Sequence, residues 1–215
     1  MPVSAAGFPS RIRDRDDYRL FLALDLEAHG VQRWRFHYRL TRPELLFQRT
    51  LRAAEFYGTR RGPARILYYW HRLVLKRRSL HTGIAISPGS CGPGLSIPHY
   101  GSVIIHKDAR IGAFCRIHSA TNIGTYRGEA PELGDFVYVG PGAVIYGGVT
   151  VGSRAVIGAG AVVGRPVPAD STVIGAKVDN KEDRPSSGVM PEWIAARMER
   201  ESGLRDDDRR LTGRL

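Results

Sequence analysis

The sequence predicts an α+β chain, an N-terminal α-helical domain followed by a parallel β-helix. Three observations carry this. Residues 14–80 place apolar side chains at helical spacing. From residue 84 that spacing stops, and Gly, Val and Ile dominate. There an aliphatic residue recurs every six positions, at Ile105, Ile111, Ile117 and Ile123, then after a ten-residue gap at Leu133, Val139, Ile145, Val151, Ile157 and Val163.

The helices come first. Asp14 to Ala28 carries Tyr18, Phe21, Leu22 and Leu26 close to helical spacing, and His29-Gly30 ends the run. A second helix starts at Thr41-Arg42-Pro43-Glu44, where proline sits in the first turn and its missing N–H costs nothing, and it runs to Gly58. A third begins near Pro63 and carries Ile66, Leu67, Trp70, Leu73, Val74 and Leu75, with Arg65, Arg72, Lys76, Arg77 and Arg78 on its other face. A basic amphipathic helix can lie on a membrane surface. The sequence favours the plainer reading, an apolar face packed on its neighbours and a solvated arginine face.

In the second part the residue after the repeated aliphatic is Gly at 112, 124, 134, 140, 152, 158 and 164. Four positions after each aliphatic the side chain is small or β-branched, except at Arg127. This is the hexapeptide repeat of a parallel β-helix. Each hexad makes one short strand and one corner, and three hexads close a triangular coil. The aliphatic side chain points into the prism and stacks on its equivalents. The small residue fits the crowded corner. Single coils cannot bury their own faces, so stability comes from stacking. Thr125 to Glu132 is four residues longer than a corner needs and is expected to leave the prism as a loop, where a binding or catalytic wall could stand. The expected boundaries are 1–83 for the helical domain, 84–178 for the β-helix and 179–215 for a tail. A short helix at 190–203 fits that tail's sequence.

Composition removes several function classes. Net charge is +11, and residues 1–83 hold most of it, with 17 basic and 7 acidic side chains. No nucleic-acid reading motif accompanies that charge, so no nucleic-acid partner is expected. No apolar run is long enough to span a membrane, and the N-terminus lacks a signal-like apolar stretch. Cys91 and Cys115 have no metal-like spacing, which points to a reducing cytoplasm and no disulfide framework.

The stretch Gly94-Leu-Ser-Ile-Pro-His99-Tyr-Gly101, followed by the hexads, resembles the serine acetyltransferases and related polysaccharide-cluster O-acetyltransferases of the hexapeptide-repeat superfamily. The resemblance covers roughly residues 84–178 and implies a left-handed coil. It also implies acetyl transfer from acetyl-CoA, as co-substrate and without a metal, to a hydroxyl of a small polar acceptor. On this reading His99 is the general base, since neutral imidazole can take a hydroxyl proton near pH 7. His118, one coil on and facing the same side, becomes a contact to substrate or oxyanion. The resemblance places coenzyme A along the prism between subunits, against Thr125, Gly140, Pro141, Gly158 and Ala159, with Lys177 for a phosphate and Arg154 and Arg165 as weaker candidates. It implies a homotrimer, with hexamers if the helices join trimers. Cys115 falls in the small inward phase and is not a nucleophile.

The sequence departs from the serine acetyltransferases at informative places. Pro98 precedes His99 where the family has Asp. Ala85-Ile86-Ser87-Pro88 replaces an Asp-Ile-His-Pro stretch, and Glu129-Ala130-Pro131-Glu132 replaces an Arg-His-Pro-Lys segment. CoA chemistry therefore carries over further than L-serine as acceptor. Glu129, Glu132 and Asp135 are the carboxylates left to orient His99. Serine O-acetylation proper is one alternative. Others are a metal-dependent hydratase using His99, His106 and His118, and a non-catalytic β-helix scaffold.

Overall fold

The computed structural model describes residues 7–175, together with Ala196. The chain opens with four helices: α1 (Arg15–Glu27), α2 (Tyr38–Thr41), α3 (Pro43–Gly58) and α4 (Arg65–Thr82). Asp14 caps α1, its carboxylate accepting from the amides of Asp16 and Asp17 at 2.9 Å. Pro43 opens α3 at its first turn, as the sequence predicts. Gly83 ends α4 in the left-handed region, with φ 75°. The short α2 was not expected, and its sequence carries no side-chain cap.

Twelve short strands follow: β1 (Ile84–Ile86), β2 (Val103–Ile105), β3 (Arg110–Ile111), β4 (Arg116–Ile117), β5 (Thr121–Gly124), β6 (Glu132–Leu133), β7 (Tyr138–Val139), β8 (Val144–Tyr146), β9 (Thr150–Val151), β10 (Val156–Ile157), β11 (Val162–Val163) and β12 (Thr172–Val173). They form three parallel sheets, ordered β1-β2-β5-β8-β11, β4-β7-β10-β12 and β3-β6-β9. These are the sides of a left-handed parallel β-helix. All ten repeated aliphatics are buried. So are the small residues of the repeat, from Ala109 to Val167.

The register shows why the repeat is legible only in part. Ile105 pairs with Ile123, eighteen residues on, the regular coil. Ile111 pairs with Leu133, twenty-two on, because of the insertion. The first coil is also irregular: Ile84 pairs with Val103, nineteen on, and Ser96 bridges Arg116, twenty on. Its inward residues Ile84, Ile86, Cys91, Leu95 and Ile97 are buried like those above, but their uneven spacing hides them from a six-residue count. The last coil shortens, with Ile157 pairing Val173 only sixteen on. The insertion folds as a tight hairpin, in which Tyr126 and Glu129 exchange backbone hydrogen bonds at 3.0 and 3.1 Å across Arg127 and Gly128.

The helical layer shares one core with the prism: Phe47, Leu51, Ala54 and Leu75 join the coil interior. It also answers a problem that stacking creates. The first coil has no coil beneath it, so its backbone polar groups on that side need other partners. Arg52, fully buried on α3, donates to Cys91 O at 2.8 Å and Gly92 O at 2.6 Å. Its remaining donors go to Asp25 at 2.8 and 3.1 Å and to Glu55 at 3.0 Å. Asp25 in turn accepts from Leu95 N at 3.0 Å, and Glu55 from Gly89 N at 2.8 Å. Gln48 donates to Leu95 O. Burial works against the Arg52 charge, but Asp25 and Glu55 more than offset it, so its pKa is raised; burial pushes the Glu55 carboxyl up as well.

The third helix corrects the sequence reading. Only Leu75 and Thr82 of α4 are buried, while Ile66, Leu67, Trp70 and Leu73 are exposed. The side facing α3 is set by Arg78, which donates to Leu46 O at 2.8 Å and to Thr50 Oγ1. The stretch 190–203 lies outside the described residues apart from Ala196, and so do the rest of the tail and Lys177.

Candidate functional site

The corner between the four-stranded and five-stranded sides gathers most of the expected site. In the second coil this corner spans five residues from Arg116 on β4 to Thr121 on β5. The same turn of the first coil takes seven, from Ser96 to Val103. The two extra residues push out the segment that carries His99, and His99 is exposed there. Its flanks are anchored to the helical layer. Gly101 N donates to Thr82 O at 2.8 Å, and Val103 N to Gly83 O at 3.2 Å. On the other flank, Nε2 of His29 stands 3.3 Å from Ile97 N and 2.8 Å from Gln48 Oε1. Gly83 serves this corner twice: its φ favours glycine, and a Cβ there would stand 2.9 Å from the carbonyl carbon of Gly101.

One coil up, His118 follows Ile117 into the same corner. Its ring lies tilted on Tyr138, with centroids 5.1 Å apart. Its Nε2 is buried and has no hydrogen-bond partner among the described residues. Burial lowers its pKa, and the charges of Arg116 and His99 lower it further, so the ring is neutral near pH 7. An orphaned buried ring nitrogen is costly unless something arrives to pair with it.

Above His118 the corner is built from Gly140-Pro141-Gly142 and then Gly158-Ala159-Gly160. Gly142 N donates to Ser119 O at 3.1 Å and Gly160 N to Pro141 O at 2.9 Å, which ties the corners into one column. A Cβ at Gly140 would meet Ala159 N at 2.7 Å, and one at Gly158 would meet Val173 O at 2.8 Å. Both glycines thus have a packing reason to be there. The result is an edge with no side chain longer than a proline ring, where Pro141, Ala159 and Gly160 are exposed.

Other expected residues stand elsewhere. Thr125 is exposed at the base of the hairpin, on the corner leading from the five-stranded to the three-stranded side. His106 lies on that same corner, its Nδ1 accepting from Asp108 N at 3.3 Å. No three His, Cys, Asp or Glu side chains are grouped so that they could hold a metal ion among the described residues. Asp135 is buried at the third corner, where its Oδ1 accepts from Ala113 N at 2.8 Å. Glu132 lies on the three-stranded side and Glu129 in the hairpin, so none of the three carboxylates shares His99's corner within this chain. Arg154 is engaged with Asp170 at 2.5 and 2.6 Å. Cys115 points inward, fully buried, and burial pushes its thiol up to about 12, as it does for Cys91.

Sequence reasoning missed His29 and Gln48 beneath the His99 segment, and the Arg52 group beside them. A signal was present: Gln48, Arg52 and Glu55 repeat at helical spacing next to Leu51, polar residues on the face that must pack.

The fold is that of the hexapeptide-repeat transferases. Residues 130–165 match the family model described as bacterial transferase hexapeptide (six repeats). A serine acetyltransferase of Synechococcus elongatus is 38% identical over 109 residues, covering 48% of this chain and 45% of the relative. One from Helicobacter pylori is 37% identical over 118 residues, covering 53% and 69%. The chain belongs to the serine acetyltransferase-like family of hexapeptide-repeat acyltransferases. It spans under half the length of the Synechococcus relative. A solved serine acetyltransferase isoform of Entamoeba histolytica in complex with cysteine shares the fold, with a TM-score of 0.64 at 23% identity, over 80% of this chain and 63% of that one.

Proposed function

We propose that the protein transfers acetyl from acetyl-CoA to a hydroxyl of a small polar acceptor, with His99 as general base. The observation that supports this most is the pairing of an exposed His99, on an extruded corner, with the partnerless buried Nε2 of His118 in the same column. Neutral imidazole at His99 takes the acceptor's hydroxyl proton as that oxygen attacks the thioester carbonyl. The tetrahedral adduct collapses, the C–S bond breaks, and the proton returns through His99 to the CoA sulfur. His118 Nε2 offers a hydrogen bond to substrate or to the oxyanion, in the tautomer that carries the proton there.

Coenzyme A supplies the activated acetyl group. The smooth edge at Gly140, Pro141, Gly158 and Ala159 suits an extended pantetheine arm, because no side chain blocks the backbone. Thr125 lies on a different edge of the prism, so one CoA can touch Thr125 and Pro141 together only if the edges come from two copies. That supports a trimer with the site between subunits. Lys177, outside the described residues, is assigned to a CoA phosphate by the family resemblance alone.

L-serine as acceptor is the second reading, favoured by the names of the relatives. Glu129 in the hairpin and Glu132 on β6 stand where the resemblance would require cations for a carboxylate, which favours an acceptor without one. Thiol release from acetyl-CoA, measured across a panel of hydroxyl acceptors that includes L-serine, tests both readings. His99→Ala is expected to lower turnover by roughly 10²–10⁴-fold with every acceptor. Near-normal turnover would remove His99 from the mechanism.

A further inference from the structure

The outward face of α4 is apolar where a helix on a folded protein is usually polar. Ile66, Tyr69, Trp70, Leu73 and Leu80 fall on one side of the helix and are 58–75% exposed. At 100° per residue, Arg77 stands within this stripe, while Arg65, Arg72 and Lys76 line its edge towards the prism. The helix contains no carboxylate. None of the ion pairs among the described residues involves Arg72, Lys76 or Arg77. Below that edge runs a groove of about 390 Å³ between α4 and the five-stranded side, lined by Arg72, Lys76, Ser79, Ser87 and Lys107. Lys107 is held by Asp108 at 2.9 Å, which leaves Arg72, whose guanidinium lies 6.0 Å over the Tyr68 ring, and Lys76 as the groove cations with no acidic partner among the described residues.

We infer that α4 seats the protein on an anionic lipid bilayer, with the apolar stripe in the interface and the cationic edge on lipid phosphates. Charge decides between occupants. A second copy of α4 would bring Arg72, Lys76 and Arg77 against their own equivalents, with no acidic side chain on the helix to answer them. Nucleic acid would satisfy the cations but leave five large apolar side chains unused. An anionic membrane uses both features, since an interfacial helix binds by buried apolar area plus attraction to acidic headgroups. The inference is independent of the acetyl-transfer reading and concerns a different face.

The test is co-sedimentation of the full chain with vesicles of phosphatidylcholine alone and of phosphatidylcholine enriched in phosphatidylglycerol. Binding is expected to the anionic vesicles and to weaken as salt is added. Arg72→Gln and Lys76→Gln should each weaken it about fivefold, the equivalent of about 1 kcal/mol per cation near such a surface. Trp70→Ser with Leu73→Ser should weaken it about tenfold or more, with the melting temperature unchanged because both side chains are exposed. Equal binding to both vesicles, or none, overturns the inference. So does a fall in oligomer mass in the Trp70→Ser, Leu73→Ser variant, which would make the stripe a contact between copies.

Discussion

Replacing the Asp25–Arg52–Glu55 group by apolar residues separates two views of it. In most proteins a buried ion triad can be exchanged for hydrophobic side chains of similar volume at little cost, or with a gain of about 1–4 kcal/mol. Here the triad also closes the hydrogen bonds of the first coil. Asp25→Leu, Arg52→Met and Glu55→Leu together would leave three buried backbone groups, Cys91 O, Gly92 O and Leu95 N, and the half-buried Gly89 N without their partners. Each orphaned group costs about 1–3 kcal/mol. With three fully buried orphans, the triple variant is therefore expected to lose at least about 2 kcal/mol, even after the usual gain from removing buried charge is allowed for at its small end of about 1 kcal/mol. For a chain of this size that corresponds to a fall in melting temperature of at least roughly 4–8 °C. Arg52→Met alone should do no better, because it also strands two buried carboxylates, a loss of about 3–5 kcal/mol. Thermal unfolding followed by circular dichroism measures both. A triple variant as stable as the wild type would show that the prism's open end does not need these side chains, and the capping argument would fail.

Further outcomes follow from the same geometry. Gly83→Ala puts a Cβ against the Gly101 backbone at positive φ and is expected to cost about 1–2 kcal/mol; acetyl transfer should fall with it, since that backbone carries the His99 corner. His29 is held below its ordinary pKa mainly by burial. The unfolded chain therefore binds a proton more readily, so stability from this residue is complete above about pH 6.5 and declines as pH falls below that. Urea unfolding across pH 5–8 should show a flatter acid limb in His29→Asn. Cys91 and Cys115 are buried with thiols near pH 12, so iodoacetamide at neutral pH should leave activity and both residues intact, as mass spectrometry would show.

Much of the fold was readable because the six-residue repeat is a direct imprint of the prism interior. Ile105 to Val163 must be aliphatic wherever a side chain stacks inside the column, and the insertion after Gly124 announces itself as a loss of phase. The first coil was not readable in this way. Its nineteen- and twenty-residue pairings break the count, and its lower surface rests on helices instead of another coil. The placement of the candidate residues was legible in part. His99, His118, Gly140, Pro141, Gly158 and Ala159 do share one corner column, while Thr125 stands on another edge. His29 and Gln48, which hold the His99 segment from below, gave only the faint signal of polar residues on a packing face.

The direction of α4 marks the limit most clearly. Its sequence is amphipathic, and an apolar stripe normally turns inward because burial removes it from water. Here Leu75, Arg78 and Thr82 meet the core side, and Ile66, Trp70 and Leu73 are left outside. By itself, then, the sequence determined the repeating interior of the prism and the family resemblance around His99, since both depend on the order of residues along the chain. Only the tertiary structure decided which polar groups close the first coil and which face of α4 meets solvent. Those depend on what lies beside each residue in space, and no spacing along one chain encodes it.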